Sequence, residues 1–553
     1  MTALLQDLVT SRAERDPQRT ALVMEDTRRS YGELEESSNR LARMLQEVGC
    51  ARGDRVCLFL PKSPPAIVSM LATLKADCAY VPIDIASPPA RVSRVVESAE
   101  PKLVLVAEEA AGLVGELHSE GALKPDLAIG VVGGAASKWP FEPTFSDADW
   151  ASFDAGPLAR SNSREDIAHL LFTSGSTGIP KGVMITHDNV LHFVEWATSF
   201  FGTREDDRVS GHPPLHFDLS TFDIYGTFLA GAELHLVPAS YNLLPTKLGE
   251  MIRAVSLTQW FSVPSTMAHM VKFGALERDD AEPSAFPSLE RVIWCGEVLP
   301  TPVLMSWMTA IPQASFTNLY GPTEATIASS YYTVPELPAS ETDDIPIGTP
   351  CDGEELLVLD EGLRPSPKGE TGDLFIAGVG LSPGYWRDEE KTNAAFLPDP
   401  RGQETGARIY RTGDLARLGE DGYVYFLGRA DSQIKSRGFR IELGEIEVAL
   451  NTIEGLSECA VVGVDTSGFE GTAICCAYAP TEGATLELPA LRRRLRKLVP
   501  SYMIPAHWLE LEELPKNVNG KIDRRNLADR FAEQLAATES EPTAGVGTDG
   551  SAR

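Results

Sequence analysis

Short runs of β-branched and other apolar residues alternate along most of the chain with segments whose apolar positions recur at helical spacing. The runs at 55–60 (RVCLFL), 103–106, 169–173, 234–237, 291–294 and 315–319 predict strands, and the segments 31–47, 65–76 and 189–199 predict helices. Alternation of this kind predicts an α/β architecture, with a large N-terminal domain over residues 1–430 built of helix-covered β-sheets. The texture changes after Gly428-Arg429-Ala430-Asp431. Strands at 459–464 and 472–478 and a helix at 488–499 predict a small α+β C-terminal domain over 431–530, joined by a short linker. From 531 to 553 the chain is so polar that it is expected to be a disordered tail.

Composition narrows the function classes. A chain of 553 residues, 43% hydrophobic and 23% charged, has the balance of an ordinary globular protein with a sizeable core. It contains no run near the ~18–20 apolar residues of a membrane span. The N-terminus lacks a basic stretch followed by an apolar one, so a cytoplasmic location is expected. With 49 basic against 79 acidic residues the formal charge is −30, which argues against nucleic-acid and anionic-membrane partners. One basic cluster, Arg492, Arg493, Arg494, Arg496 and Lys497, stands out against that field. The eight cysteines form no CxxC pair, which suits neither a zinc site nor a disulfide framework. Any metal is therefore expected on oxygen ligands, which favours Mg²⁺.

The most informative segment is 170–186, LLFTSGSTGIPKGVMIT. An apolar strand runs into Thr173, Ser174, Gly175, Ser176 and Thr177, then Pro180-Lys181-Gly182, then a second apolar strand. Glycines let backbone N–H groups turn toward a ligand, hydroxyls add donors and Lys181 adds charge, so the loop suits a polyphosphate. A P-loop would place Ser or Thr and then a helix after its lysine, whereas here a strand follows.

This loop resembles the signature of the adenylate-forming superfamily, which includes acyl- and aryl-CoA ligases, luciferases and nonribosomal-peptide adenylation domains. The resemblance recurs in order along nearly the whole chain, in NLYGPTE at 318–324, YRTGDL at 410–415, GRADSQIKSRGFRIE at 428–442 and NGKIDR at 519–524. It implies ATP and Mg²⁺ as cofactors. Tyr320 would stack on adenine, Asn318 would bond its exocyclic amine, and Gly321 belongs to the same motif. Asp414 would accept the ribose hydroxyls with help from Arg429, and Phe426 joins the nucleotide-binding set. Thr323 would contact the α-phosphate or substrate carboxylate, and Glu324 would hold the metal. Lys521 would bridge two mutually repelling anions, the carboxylate and the α-phosphate, since cations and aligned donors carry most of such a reaction. The small domain would then swing about Asp431, bringing Lys435 toward the incoming thiol.

Phe217-Asp218-Leu219-Ser220-Thr221-Phe222-Asp223 aligns with the superfamily's substrate-pocket motif. In members that activate amino acids, a carboxylate at the position of Asp218 pairs with the α-ammonium. A fatty- or aryl-acid ligase has no use for an unpaired buried charge there. The remaining pocket positions, carried over by the motifs, are Leu219, Phe222, Ser262 and Ile293 on one side. Cys295, Leu319, Ile327 and Ala328 complete them. No second charge appears, and Phe222 and Leu319 are bulky, so a small neutral amino acid is expected: alanine first, then glycine, serine or proline. The stretch 294–300 (WCGEVLP) also resembles D-alanine–carrier-protein ligases, which leaves stereochemistry open.

With no phosphopantetheine-type segment after Lys521, the expected acceptor is the phosphopantetheine thiol of a separate carrier protein. The basic cluster 492–497 reads either as a docking face for an acidic carrier or as a solvated helix face. Acyl- or aryl-CoA ligation is the alternative enzyme, and a catalytically inert binding module is the third possibility.

Overall fold

A computed structural model describes residues 4–134, 139–175, 178–277, 283–402, 406–466, 472–481, 486–516 and 522–539. Among them, two large, mainly parallel sheets form the body of the molecule. One has nine strands, with Ser315–Tyr320, Arg291–Cys295, Gln259–Ser262 and Arg208–Gly211 side by side near its centre. The other has six, and ends in the antiparallel pair Ile167–Thr173 and Lys181–Thr186. Strands covered on both faces read as unbroken apolar runs, and Leu103–Val106 and Arg291–Cys295 are buried at every position.

The helices start and stop where local chemistry dictates. Helix Tyr31–Glu47 opens on a capping box in which Ser30 and Glu33 satisfy each other's backbone N–H groups. Helix His187–Phe201 opens on a matching Thr186–Asn189 box. The largest apolar cluster joins helix Tyr31–Glu47, helix Pro64–Lys75 and helix His187–Phe201 to both sheets, and it includes most of the anticipated substrate-pocket residues.

Between the large sheets and the C-terminal part lies a five-stranded antiparallel sheet, including Glu354–Leu359, Thr371–Gly378, Arg408–Leu418 and Val424–Arg429. It falls within the range 1–430 and was not separated by periodicity. Beyond Arg429 come the hairpin of Gln433–Ser436 and Phe439–Glu442, then a three-stranded sheet with its own core around Ile446, Val461 and Cys476. The helix expected over 488–499 ends earlier, at Leu495.

The expected disordered tail is corrected at its start. Helix Arg524–Glu539 continues past 531. Leu527 and Phe531, one helical turn apart, are fully buried, and Leu535 packs beside them. Apolar residues at intervals of four hold this stretch despite its polar average. In the basic cluster, Arg492 and Arg494 donate to the backbone carbonyls of Pro505, Ala506 and Glu454, and Arg493, Arg494, Arg496 and Lys497 are all exposed.

Candidate active site

The loop after Ile167–Thr173 is held at both ends, because Thr173 and Lys181 are cross-strand partners. Ser176 and Thr177 lie outside the described residues. A β-carbon on Gly175 would overlap the Ile179 carbonyl, so glycine is required for this close turn. The Thr173 hydroxyl is buried without a partner among the described residues, and so is a donor free to meet an anion. Lys181 Nζ lies 5.1 Å from the centre of the Tyr385 ring. Burial and the nearby Arg440 push the Lys181 pKa down, while Glu324 pulls it up.

Glu324, in the short turn Thr323–Ala325 after strand Ser315–Tyr320, is completely buried. Its Oε1 accepts the Tyr385 hydroxyl at 2.7 Å and its Oε2 accepts Arg440 Nη1 at 2.6 Å. Burial opposes ionisation of this carboxyl, but Arg440, Lys181 and the Tyr385 hydroxyl outweigh it and hold its pKa at about 2. Glu324 is therefore held ionised, and its Oε2 already pairs with a cation, the Arg440 guanidinium. Among the described residues no three His, Cys, Asp or Glu side chains converge on one metal. One carboxylate plus phosphate oxygens suits Mg²⁺, so Glu324 fits a metal carried on a nucleotide.

Tyr320 donates its hydroxyl to Asp414 Oδ2, and Arg429 Nη1 donates to Asp414 Oδ1 at 2.6 Å. Arg429 also pairs with Asp431 at 2.6 Å, linking Asp414 to the start of the hairpin segment. The Tyr320 and Phe426 rings lie 6.4 Å apart in one apolar cluster. Asn318 and Gly321 flank Tyr320. The Asn318 amide donates to the Pro346 carbonyl at 2.9 Å, which fixes its orientation.

Asp218 precedes the turn Leu219–Thr221 and is half-buried. Burial raises its carboxyl to about 6, against the pull of the Thr323 hydroxyl and Lys435. Behind it, Leu219, Phe222, Ile293, Cys295, Leu319, Ile327 and Ala328 belong to one buried cluster. Ser262 is also buried, its hydroxyl taken by Trp260 Nε1 at 2.9 Å. Phe222 stands edge-on to Phe193 and Phe261, which restricts its ring to one position. Thr326 and Ile327 have φ of 54° and 72°, an uncommon backbone for β-branched residues. The Thr326 hydroxyl on the Gly380 carbonyl at 2.7 Å anchors this strained turn, which sets Ile327 and Ala328 in the cluster.

The hairpin 433–442 reaches into this site. Lys435 Nζ lies 5.7 Å from the Tyr320 ring centre, and Lys435 also acts on Asp218 and Cys295 electrostatically. Lys521 lies outside the described residues.

Two partners of Glu324 escaped the sequence reading. Arg440 was inside a quoted motif, but nothing in its spacing tied it to a carboxylate 116 positions away. Tyr385 lies between strand Thr371–Gly378 and helix Glu389–Ala395 and carries no motif signal.

The family model described as "AMP-binding enzyme" matches residues 9–386, and that of "AMP-binding enzyme C-terminal domain" matches 445–521. The chain is similar to an L-proline–[L-prolyl-carrier protein] ligase of Streptomyces coelicolor, 35% identical over 90% of this chain and 91% of that protein. It is also 34% identical to tyrocidine synthase 3 of Brevibacillus parabrevis over 97% of this chain. The chain spans only 8% of that synthase and 13% of surfactin synthase subunit 2 of Bacillus subtilis. The Vibrio cholerae adenylation domain AlmE, solved with glycyl-adenosine-5′-phosphate, shares the fold with a TM-score of 0.81 at 24% identity, covering 97% of this chain and 98% of that one.

Proposed function

The chain belongs to the AMP-binding enzyme family, and on that premise we propose that it activates a small neutral amino acid as its aminoacyl-adenylate and passes the acyl group to a carrier-protein thiol. The observation that carries this is Asp218, a half-buried carboxylate between Thr323 and a sealed apolar cluster. A carboxylate in that setting is costly unless a cation meets it, and the α-ammonium of an amino acid is that cation.

The ammonium on Asp218 would orient the substrate carboxylate toward Thr323. Asp414 and Tyr320 would hold the ribose and adenine, while Thr173, Ser174 and Lys181 hold the phosphates. Glu324 would hold Mg²⁺, which supplies charge neutralisation on the departing pyrophosphate. Lys521 would draw the carboxylate oxygen onto the α-phosphorus. The new C–O–P bond forms as the α–β phosphoanhydride breaks, and pyrophosphate leaves. The thiol, giving up its proton to solvent, would then attack the acyl carbonyl as the bond from that carbon to the bridging oxygen breaks, and AMP would depart with that oxygen, while Lys435 would face the incoming thiol.

Phe222 and Leu319 fill much of the pocket, which favours alanine, then glycine, serine or proline. The relative named for proline lies within this set. One methylene changes binding by only about 1–3 kcal/mol, so selectivity among these four is expected to be loose. The carrier supplied in trans would be acidic and would meet the exposed Arg493, Arg496 and Lys497.

Pyrophosphate exchange across the twenty L-amino acids and D-alanine tests the substrate class. Exchange is expected to be largest with alanine and to include the other small residues. Exchange with no amino acid, together with coenzyme A thioester formation from fatty or aromatic acids, would replace this function with acyl-CoA ligation.

A further inference from the structure

Both oxygens of Glu324 are taken, one by the Tyr385 hydroxyl and one by the Arg440 guanidinium. Arg440 arrives from the second strand of the hairpin, and that hairpin is firmly seated. The Ser174 hydroxyl donates to the Arg440 carbonyl at 2.7 Å. Gly438 N–H donates to Glu297 Oε1 at 2.9 Å, while Glu297 Oε2 accepts Ser265 N–H at 3.1 Å. Gly438 has φ of +80°, and a β-carbon on it would stand 2.7 Å from Val263. Phe439 meets Phe217 edge-on at 4.9 Å, and a buried ion pair joins Arg91 to Glu445 just beyond the hairpin. Gln433 Oε1 accepts Arg440 Nε at 2.8 Å and aims the guanidinium at Glu324.

Resting on the adenylating function above, in which Glu324 carries the nucleotide's metal, we propose that Arg440 and Mg²⁺ compete for Glu324 Oε2. The hairpin then seats for thiol transfer only after the metal has left with pyrophosphate. Two cations on one buried carboxylate oxygen repel each other at short range. A buried Glu324 without any cation is costly as well. The carboxylate therefore exchanges one positive partner for the other, and that exchange ties product release to the movement of the hairpin. Arg440 is thus a positioning residue that acts through Glu324, and it marks which half of the reaction the site is set for.

Binding of a non-hydrolysable ATP analogue to the full chain, followed by calorimetry at a series of Mg²⁺ concentrations, tests this directly. Arg440→Gln removes the competing cation and is expected to lower the Mg²⁺ midpoint for analogue binding by about fivefold or more. Arg440→Lys keeps a cation and is expected to stay close to wild type. Glu297→Gln loosens the hairpin's seat without touching Arg440 or Glu324, and is expected to lower the midpoint in the same direction. Unchanged midpoints in Arg440→Gln and Glu297→Gln overturn the competition. Wild-type binding that ignores Mg²⁺ overturns the metal's assignment to Glu324 itself. Failure of the amino-acid function would show separately, as wild-type protein without amino-acid-dependent exchange.

Discussion

Asp218→Ala is expected to reduce amino-acid-dependent pyrophosphate exchange to near background. The substrate ammonium would then enter the mouth of the cluster around Leu219, Cys295 and Leu319 with no counter-charge. Removing one partner of a buried ion pair costs about 3–5 kcal/mol, or roughly 10²–10⁴ in kcat/KM. Asp218→Asn keeps the shape and loses the charge, so it is expected to fail nearly as badly. The wild-type carboxyl, raised by burial to about 6, adds a pH signature. It is the ionised form that pairs, so KM for the amino acid is expected to rise as pH falls through about 6, while Asp218→Asn loses that dependence. Exchange kinetics between pH 5 and 8, at roughly half-unit steps, read both effects. Full exchange in Asp218→Ala would show that the ammonium is bound elsewhere.

Lys521→Ala is expected to slow aminoacyl-adenylate formation by about 10²–10³, the usual cost of deleting one donor from a site that stabilises developing charge. Joining a carboxylate to a phosphate brings two anions together, and a lysine is a compact point charge that can touch both. The loss is expected in kcat, with little change in KM for ATP, because the contact matters most as the bond forms. Single-turnover formation of the adenylate measures this step apart from pyrophosphate release. A normal rate in the variant would mean that neutralisation comes from another cation, such as Lys181 on the phosphate loop.

Much of the fold was legible because its signals are local. Helix Tyr31–Glu47 shows its boundaries in Ser30, Glu33 and its apolar spacing, and the buried parallel strands appear as unbroken apolar runs. The five-stranded antiparallel sheet was hidden, since half-exposed strands such as Glu354–Leu359 alternate weakly and blend into neighbouring loops. Helix Arg524–Glu539 gave little signal, and its stretch beyond 531 was expected to be disordered, because three apolar residues, spaced by four, sit in an otherwise polar stretch. Within the site, contiguous motifs pointed to Lys181, Glu324, Asp414 and Asp218. What the motifs do not give is the pairing between distant segments, which only folding brings together. Tyr385 and Arg440 converge on Glu324 from two different elements, and Glu297 meets Gly438 across 141 positions.

The α-ammonium is the feature by which Asp218 sorts substrates, and alanine and propionate differ by that group alone. Pyrophosphate exchange by the wild-type protein, run side by side with these two acids at pH 7.5, isolates it. Alanine is expected to support exchange at least about 100-fold better in kcat/KM, the lower bound set by a buried ion pair. Equal exchange with propionate would contradict the assignment of Asp218 and, with it, the activation of amino acids.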